Sequence, residues 1–341
     1  MKKSILTFAS MAVLVLTCIS CINLQSTFSE GSSEHKVLIL TEAFTSSTVR
    51  QVLASTSGGS IKINGDAGKQ GSIEVYAQGN NGRTYSKEEI MEILDRDYNL
   101  EVGQDGAILK AIAERKVKGS WKNALSISYV IHVGKQVNTE LSTSGGSIRL
   151  SNLQGNQSFK TSGGSLRLEA LSGTIDGKTS GGNIYVKNSQ GTIRLNTSGG
   201  SIEMQQLQGD IQTQTSGGSI KGQGIAGSLR TKTSGGSIRL SDIAASLDAK
   251  TSGGSIRADF SSFVKPASLH TSGGSIGLNV PGDAQMDFEL EGSTVSVGEH
   301  ANLQTHINKE RNHATGSLNG GDSGALLNAS TSGGTVRLEV R

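Results

Sequence analysis

Apolar and polar residues alternate with a period of two in short runs, and the runs return on a fixed cycle. The unit Thr233 to Lys250 reads TSGGSIRLSDIAASLDAK: Ile238 and Leu240 flank Arg239, Ile243 follows, and a second run carries Leu247. TSGGS or a near-copy begins at Thr143, Thr161, Thr179, Thr197, Thr215, Thr233 and Thr251, each 18 residues after the last, and again at Thr271. Outlying copies begin at Thr56 and, as TSGGT, at Thr331. Strict alternation predicts two short strands per unit, and no 3.6-residue pattern supports a helix pair. A fixed period of this length predicts a repeat architecture, each unit burying its apolar face against the next.

The economical arrangement is an all-β, parallel β-solenoid of 18-residue, two-strand rungs. Unbroken register favours this stacked coil over an array of antiparallel hairpins. Ile, Leu and Val would point inward and pair with the rungs above and below, while outward residues alternate with them. One apolar column holds Leu153, Leu171, Leu207, Ile225 and Ile243, and another holds Ile175, Ile193, Ile211, Leu229 and Leu247. Glycines, including Gly155, Gly173, Gly191, Gly209 and Gly227, would supply positive φ or close backbone approach at the corners. Threonine and serine columns would hydrogen-bond along the stack. At the strand spacing, eight rungs make a section roughly 35–40 Å long.

The pattern changes on either side of residues 143–281. In residues 36–142, Lys36 to Leu40 and Gly71 to Tyr76 read as strands. Ser86 and Glu89 form a capping-box sequence ahead of Ile90, Ile93 and Leu94, which predicts one short helix. Asp105-Gly106 is a hairpin signal, and Leu125, Ile127, Tyr129, Ile131 and Val133 alternate as a longer strand. This part reads as a strand-rich cap with one helix, fused to the first rungs, because a bare terminal rung is an unpaired edge. Residues 282–341 read as a polar, irregular insertion followed by a closing rung from Thr331.

The start of the chain is of another kind. Lys2 and Lys3 precede an apolar run, Ile5 to Leu16, too short to span a bilayer comfortably. Residues 1–21 therefore read as a signal peptide, and residues 22–35 as a polar tether. Ser20-Cys21 resembles a bacterial lipoprotein signal, with Cys21 as the acylated residue; Cys18 stands where leucine is usual. Cleavage without lipid is the alternative, and both predict export. Both cysteines of the chain lie in this segment, which leaves no disulfide or thiol chemistry for the body.

On Ile127 to Val133 followed by Thr143-Ser-Gly-Gly-Ser-Ile148, the chain resembles the "putative adhesin" domain family of bacterial envelope proteins. The resemblance covers roughly residues 37–341. A proline usual just after the first of these strands is replaced here by Gly134-Lys135. The resemblance implies the solenoid fold and an envelope location, and it brings no catalytic motif.

Composition supports the repeat reading: 46 glycines, 2 prolines and 4% aromatic residues are unusual, but the glycines are periodic. Charge matters once it is split. Residues 143–276 carry 13 basic and 7 acidic side chains, whereas residues 277–341 carry 4 and 8. The outward position between the two apolar residues holds Arg149, Arg167, Tyr185, Glu203, Lys221, Arg239 and Arg257. The position before the threonine holds Lys160, Lys178, Asn196, Gln214, Lys232, Lys250 and His270. Stacked rungs would draw each set into one line, a candidate stripe for acidic polysaccharide, lipopolysaccharide or extracellular DNA. The plainer reading is a solvated face whose charges discourage aggregation.

Other candidate chemistry does not assemble. Gly222-Gln-Gly-Ile-Ala-Gly227 matches a dinucleotide fingerprint but has strands on both sides instead of a helix after it. The acids Glu169, Asp176, Glu203, Asp210, Asp242, Asp248 and Asp259 occupy differing repeat positions and form no evident pair. His300, His306 and His313 are spaced too widely for a local metal pair. No cofactor, metal or catalytic residue is expected, and Trp121 reads as a cap anchor. The expectation is a non-catalytic cell-envelope lipoprotein with a repetitive adhesive surface for weak multivalent contact with polyanion or glycan. A scaffold or signalling protein that recognises an envelope protein through residues 282–327 is the alternative. A polysaccharide-active enzyme stands behind both.

Overall fold

The computed structural model describes residues 36–116, 124–321 and 324–341. The signal segment, Cys21, the tether and Trp121 lie outside the described residues. The described chain is a β-solenoid, and all 25 described strands join one continuous ladder system.

The amino-terminal part contains β1 (Val37–Thr45), β2 (Gln51–Thr56), β3 (Ile61–Asn64), β4 (Gln70–Gly79), α1 (Lys87–Asp97), β5 (Tyr98–Asp105), β6 (Ile108–Arg115) and β7 (Leu125–His132). The capping box forms: Ser86 Oγ accepts from the Glu89 amide at 3.2 Å, and the Ser86 amide donates to Glu89 Oε2 at 2.7 Å. The helix buries Ile90, Ile93 and Leu94 and packs against β1, β4, β5 and β7, which closes the core at this end. β5 and β6 form the antiparallel hairpin around Asp105-Gly106, with Gly106 at φ +58°.

The first SGG rung does not sit at the tip. β2 pairs in parallel with β6 on one side and with β8 (Asn138–Thr143) on the other. β3 likewise lies between β7 and β9 (Ile148–Ser151), both parallel. A stretch early in the chain is therefore slotted between two layers made later. Beyond β7, the order β7–β4–β1 is antiparallel.

From β8 the rungs stack in sequence through β10 (Gln154–Lys160), β11 (Leu166–Glu169) and β12 (Ser172–Lys178). They continue through β13 (Ile184–Asn196), β14 (Ile202–Gln214), β15 (Ile220–Lys232) and β16 (Ile238–Thr251). Partners are 18 residues apart and parallel throughout. Ile148, Leu166, Ile184, Ile202, Ile220 and Ile238 form one buried column, and Ile175, Ile193, Ile211, Leu229 and Leu247 another. In β13 to β16 the two predicted strands run on as one. The bend carries one residue in the left-handed region, Asn188 (φ 52°), Gln206 (φ 52°), Gly224 (φ 67°) or Asp242 (φ 54°), followed in the first three by Gly191 (φ 118°), Gly209 (φ 128°) or Gly227 (φ 108°). Asn152 and Ala170 hold the same place between the shorter strands.

The TSGG corner works differently from this bend. Its glycines are absent from the positive-φ residues; the second of each pair is demanded by stacking. A Cβ on Gly164, Gly182, Gly200 or Gly218 would collide with the carbonyl oxygen of the equivalent glycine one rung below. The first glycine has ordinary room: a Cβ on Gly199 would stand 3.6 Å from the Ser180 oxygen. Each threonine is buried and bridges two rungs. Thr215 Oγ1 donates to the Gly200 carbonyl at 2.8 Å and accepts from the Gly218 amide at 3.3 Å. The same pair of bonds recurs from Thr143 to Thr331. The serine that ends the motif accepts from the amide above it, as in Ser219 to Ser201 Oγ at 3.2 Å. Buried backbone groups that no strand partner reaches are thus satisfied by side chains.

The carboxy-terminal part has β17 (Ile256–Phe260), β18 (Ala267–Thr271), β19 (Ile276–Val280), β20 (Met286–Glu291), β21 (Thr294–Val297), β22 (Leu303–Ile307), β23 (His313–Leu318), β24 (Leu326–Thr331) and β25 (Thr335–Val340). The 20-residue step before Thr271 follows a register shift after Leu240, where Phe260 and Phe263 meet edge to face at 4.9 Å. The segment from residue 282 is more regular than its composition suggests, since β20, β23 and β22 form an antiparallel end layer. The last rung repeats the arrangement of the first. β24 is held between β18 and β20, and β25 between β19 and β21, all in parallel.

Candidate functional site

Outward side chains form straight columns because parallel in-register pairing repeats one position at every rung, about 4.8 Å apart. On the ladder after the SGGS corner, Arg149 pairs with Arg167, Arg167 with Tyr185, Tyr185 with Glu203, and Glu203 with Lys221. Lys221 then pairs with Arg239 and Arg239 with Arg257. The intercalated rungs extend the line with residues that a count of consecutive repeats misses. Lys62 pairs with Arg149, and Arg337 follows Gly277 beyond Arg257.

On the ladder before the corner, Lys160 pairs with Lys178, and Lys232 with Lys250, with Asn196 and Gln214 between the two pairs. His270 continues this column. Two positions earlier on the same strands runs Asp176, Arg194, Gln212, Arg230 and Asp248. Arg194 and Arg230 are further cations of this face; alternation within the second strand was the available signal for them. Arg194, Gln214, Arg230, Lys232, Asp248 and Lys250 line a shallow depression of about 270 Å³. The nine predicted cations thus form two columns on separate ladders, not one patch.

The columns are not bare positive charge. Lys187 reaches Glu169 at 2.8 Å, Lys250 reaches Asp248 at 3.1 Å, and Arg230 approaches Asp248 at 3.6 Å. Such exposed pairs contribute little to stability, but they lower the local potential. The Arg167 guanidinium lies over the Tyr185 ring, 5.4 Å from its centroid. Together with Glu169, Lys187, Glu203 and Gln205, these two residues line a second depression of about 230 Å³. Here the basic line is interrupted by a ring face and a carboxylate.

The remaining sequence candidates take structural places. Gly222 to Gly227 lies inside β15 at a bend, with Gly224 and Gly227 at positive φ. His313 pairs with Glu289 at 3.3 Å on neighbouring antiparallel strands, and His306 lies on β22. Among the described residues, no group of three or more His, Cys, Asp or Glu is arranged to hold a metal ion. No described helix is long and apolar enough to cross a membrane.

The Toastrack DUF4097 family matches residues 169–339, half of the chain, from the end of β11 through the later rungs and the carboxy-terminal end layer into β25. The chain belongs to this family. No curated protein matches the Toastrack chain. Two solved structures align with it over most of their length. One is a "putative cell adhesion protein" from Clostridium sporogenes ATCC 15579, at 9% identity and a TM-score of 0.20, over 89% of this chain and 98% of its own. The other is a "putative adhesin" from Bacteroides fragilis NCTC 9343, at 12% identity and a TM-score of 0.32, over 90% and 98%.

Proposed function

We propose that this Toastrack chain is a non-catalytic, exported adhesive rod that binds acidic glycan or another polyanion weakly and at many points. The observation that supports the reading most is the register. It sets Lys62, Arg149 and Arg167, then Lys221, Arg239 and Arg257, in one line at rung spacing. A flexible anionic polymer lying along the rod would meet three cations in succession on either side of Tyr185 and Glu203. Weak contacts held on one scaffold add through effective concentration. The Lys160, Lys178, Lys232 and Lys250 column, with Arg194 and Arg230, offers a second track. The rod is held to the cell envelope through a lipid on Cys21, with residues 22–35 as the tether.

Retention of the full chain on immobilised acidic polysaccharide against rising salt tests the binding. The comparison is a variant with Arg149, Arg167, Arg239 and Arg257 all changed to glutamate. Retention that falls with salt and vanishes in the variant is the expected result. Absence of retention even at low salt would overturn the polyanion reading. Incorporation of labelled fatty acid into the chain, lost in Cys21→Ala, tests the anchor separately.

A further inference from the structure

The last rung is connected in an unusual way. β24 and β25 fill an interior slot between β18/β19 and β20/β21, although they are made after all four. On one side Thr331 Oγ1 donates to the Gly274 carbonyl at 2.7 Å, and the Thr335 amide donates to Ser275 Oγ at 3.2 Å. On the other, the Ser293 amide donates to the Gly334 carbonyl at 2.9 Å. Val336 and Leu338 are fully buried. The slot therefore contacts an SGG rung on both faces, through the repeated threonine and serine bonds on the β18/β19 side and through a backbone amide and parallel strand pairing on the β20/β21 side.

Residues 319–325 join the end of β23 to the start of β24. Leu318 pairs with Met286, and Leu326 with Asp287, so this link straddles the segment leading into β20. Asn319 Nδ2 donates to the Gly282 and Ala284 carbonyls, both at 2.8 Å, and so rests on that segment. Asn319, Gly320, Gly321 and Gly324 all have positive φ. Gly320, Gly321 and Gly324 adopt this region without steric cost, and a rung supplied by another molecule would make the same contacts as its own.

We propose that residues 326–340 form an exchangeable rung, and that the slot between β18/β19 and β20/β21 accepts this rung from a second copy of the chain. The exchange links rods at their carboxy-terminal ends without any new surface, because the interface already exists within each molecule. Only the path of the link differs between the closed and exchanged forms. This reading concerns assembly and is independent of what the basic columns bind.

Disulfide trapping tests it directly. In a background of Cys18→Ser and Cys21→Ser, one full-length chain carries Ser268→Cys and another carries Asn328→Cys; these positions are register partners facing outward. Adjacent strands bring such a pair within disulfide reach. The doubly substituted chain, with both cysteines, should close internally and so verifies the geometry. Mixing the two single variants should give a cross-linked heterodimer that grows with protein concentration. A second variant removes Gly320 to Gly324, which leaves too little chain to straddle β20. It should fold with a doubled mass by light scattering. Internal closure in the double variant with no heterodimer, or a deletion variant that stays monomeric or unfolds, overturns the proposal.

Discussion

Gly200 stands directly above the carbonyl oxygen of Gly182, so close that any side chain at Gly200 would overlap it. Gly199, its neighbour, faces only ordinary contacts. Two adjacent glycines of the same motif should therefore respond differently to one methyl group. Gly200→Ala should lower stability by about 1–3 kcal/mol through overpacking of the stack. Gly199→Ala should be nearly silent. Urea midpoints of the two variants, measured side by side, check this, and equal losses would sink the stacking argument.

The threonine column should be sensitive to its hydroxyl and not to its shape. Thr215→Val keeps the volume but leaves the Gly200 carbonyl and the Gly218 amide without their partner. A loss of about 1–3 kcal/mol follows from leaving buried polar groups unsatisfied. Thr215→Ser should retain most of the stability. Comparison of the thermal midpoints of both variants decides between hydrogen bonding and packing.

Ala170 occupies the left-handed bend at φ 53° with no side-chain hydrogen bond to compensate. Glycine removes the steric cost, about 1–2 kcal/mol, and gives back part of it as chain entropy, about 0.5–1 kcal/mol. Ala170→Gly should therefore stabilise the protein by a few tenths of a kcal/mol to about 1 kcal/mol. Asn188→Gly, at the same bend, should change little, because asparagine already tolerates this region. A fall in the urea midpoint of Ala170→Gly would contradict the assignment of the bend.

Alkaline pH should weaken the amino-terminal end. The Tyr76 hydroxyl donates to Glu74 Oε2 at 2.6 Å, and this bond, with burial and the nearby carboxylate charge, pushes its pKa up to about 12. In the unfolded chain tyrosine titrates near 10. The folded pKa is the higher one, so this contribution is fully present below about pH 10 and is lost as pH rises toward 12. Tyr76→Phe should be less stable than the parent at pH 8, with the difference shrinking above pH 10. Denaturant midpoints across that range give the comparison.

Much of the fold is legible in the chain because consecutive rungs share a phrase. The Ile148-to-Ile238 column, the capping box at Ser86 and Glu89, and the hairpin at Asp105-Gly106 all rest on local spacing. The places of β2/β3 and β24/β25 are not legible in this way. Their partners are distant, and a TSGG phrase states what a rung pairs with but not which rung. The bends at Asn152, Ala170 and Gln206 escape for another reason: asparagine, alanine and glutamine share no side-chain signal, and the stack above and below imposes the conformation. The basic columns follow from the period, whereas Lys62 and Arg337 join them only once the intercalation is known.

That intercalation also sets an order of assembly. β2 and β3 are synthesised first among the SGG strands, yet both layers that hold them come later, and the second is complete only at Ser151. A growing chain cannot lay down rungs from its first turn upward. By Ser151 the slot around β2 and β3 is complete, and each rung from there to Val280 has its predecessor already made when it is added, so the stack can then grow outward from the amino-terminal end. The two tips differ in this respect: β2 and β3 wait for their neighbours to be made, whereas β24 and β25 are the last strands made and must enter a place left open between earlier ones.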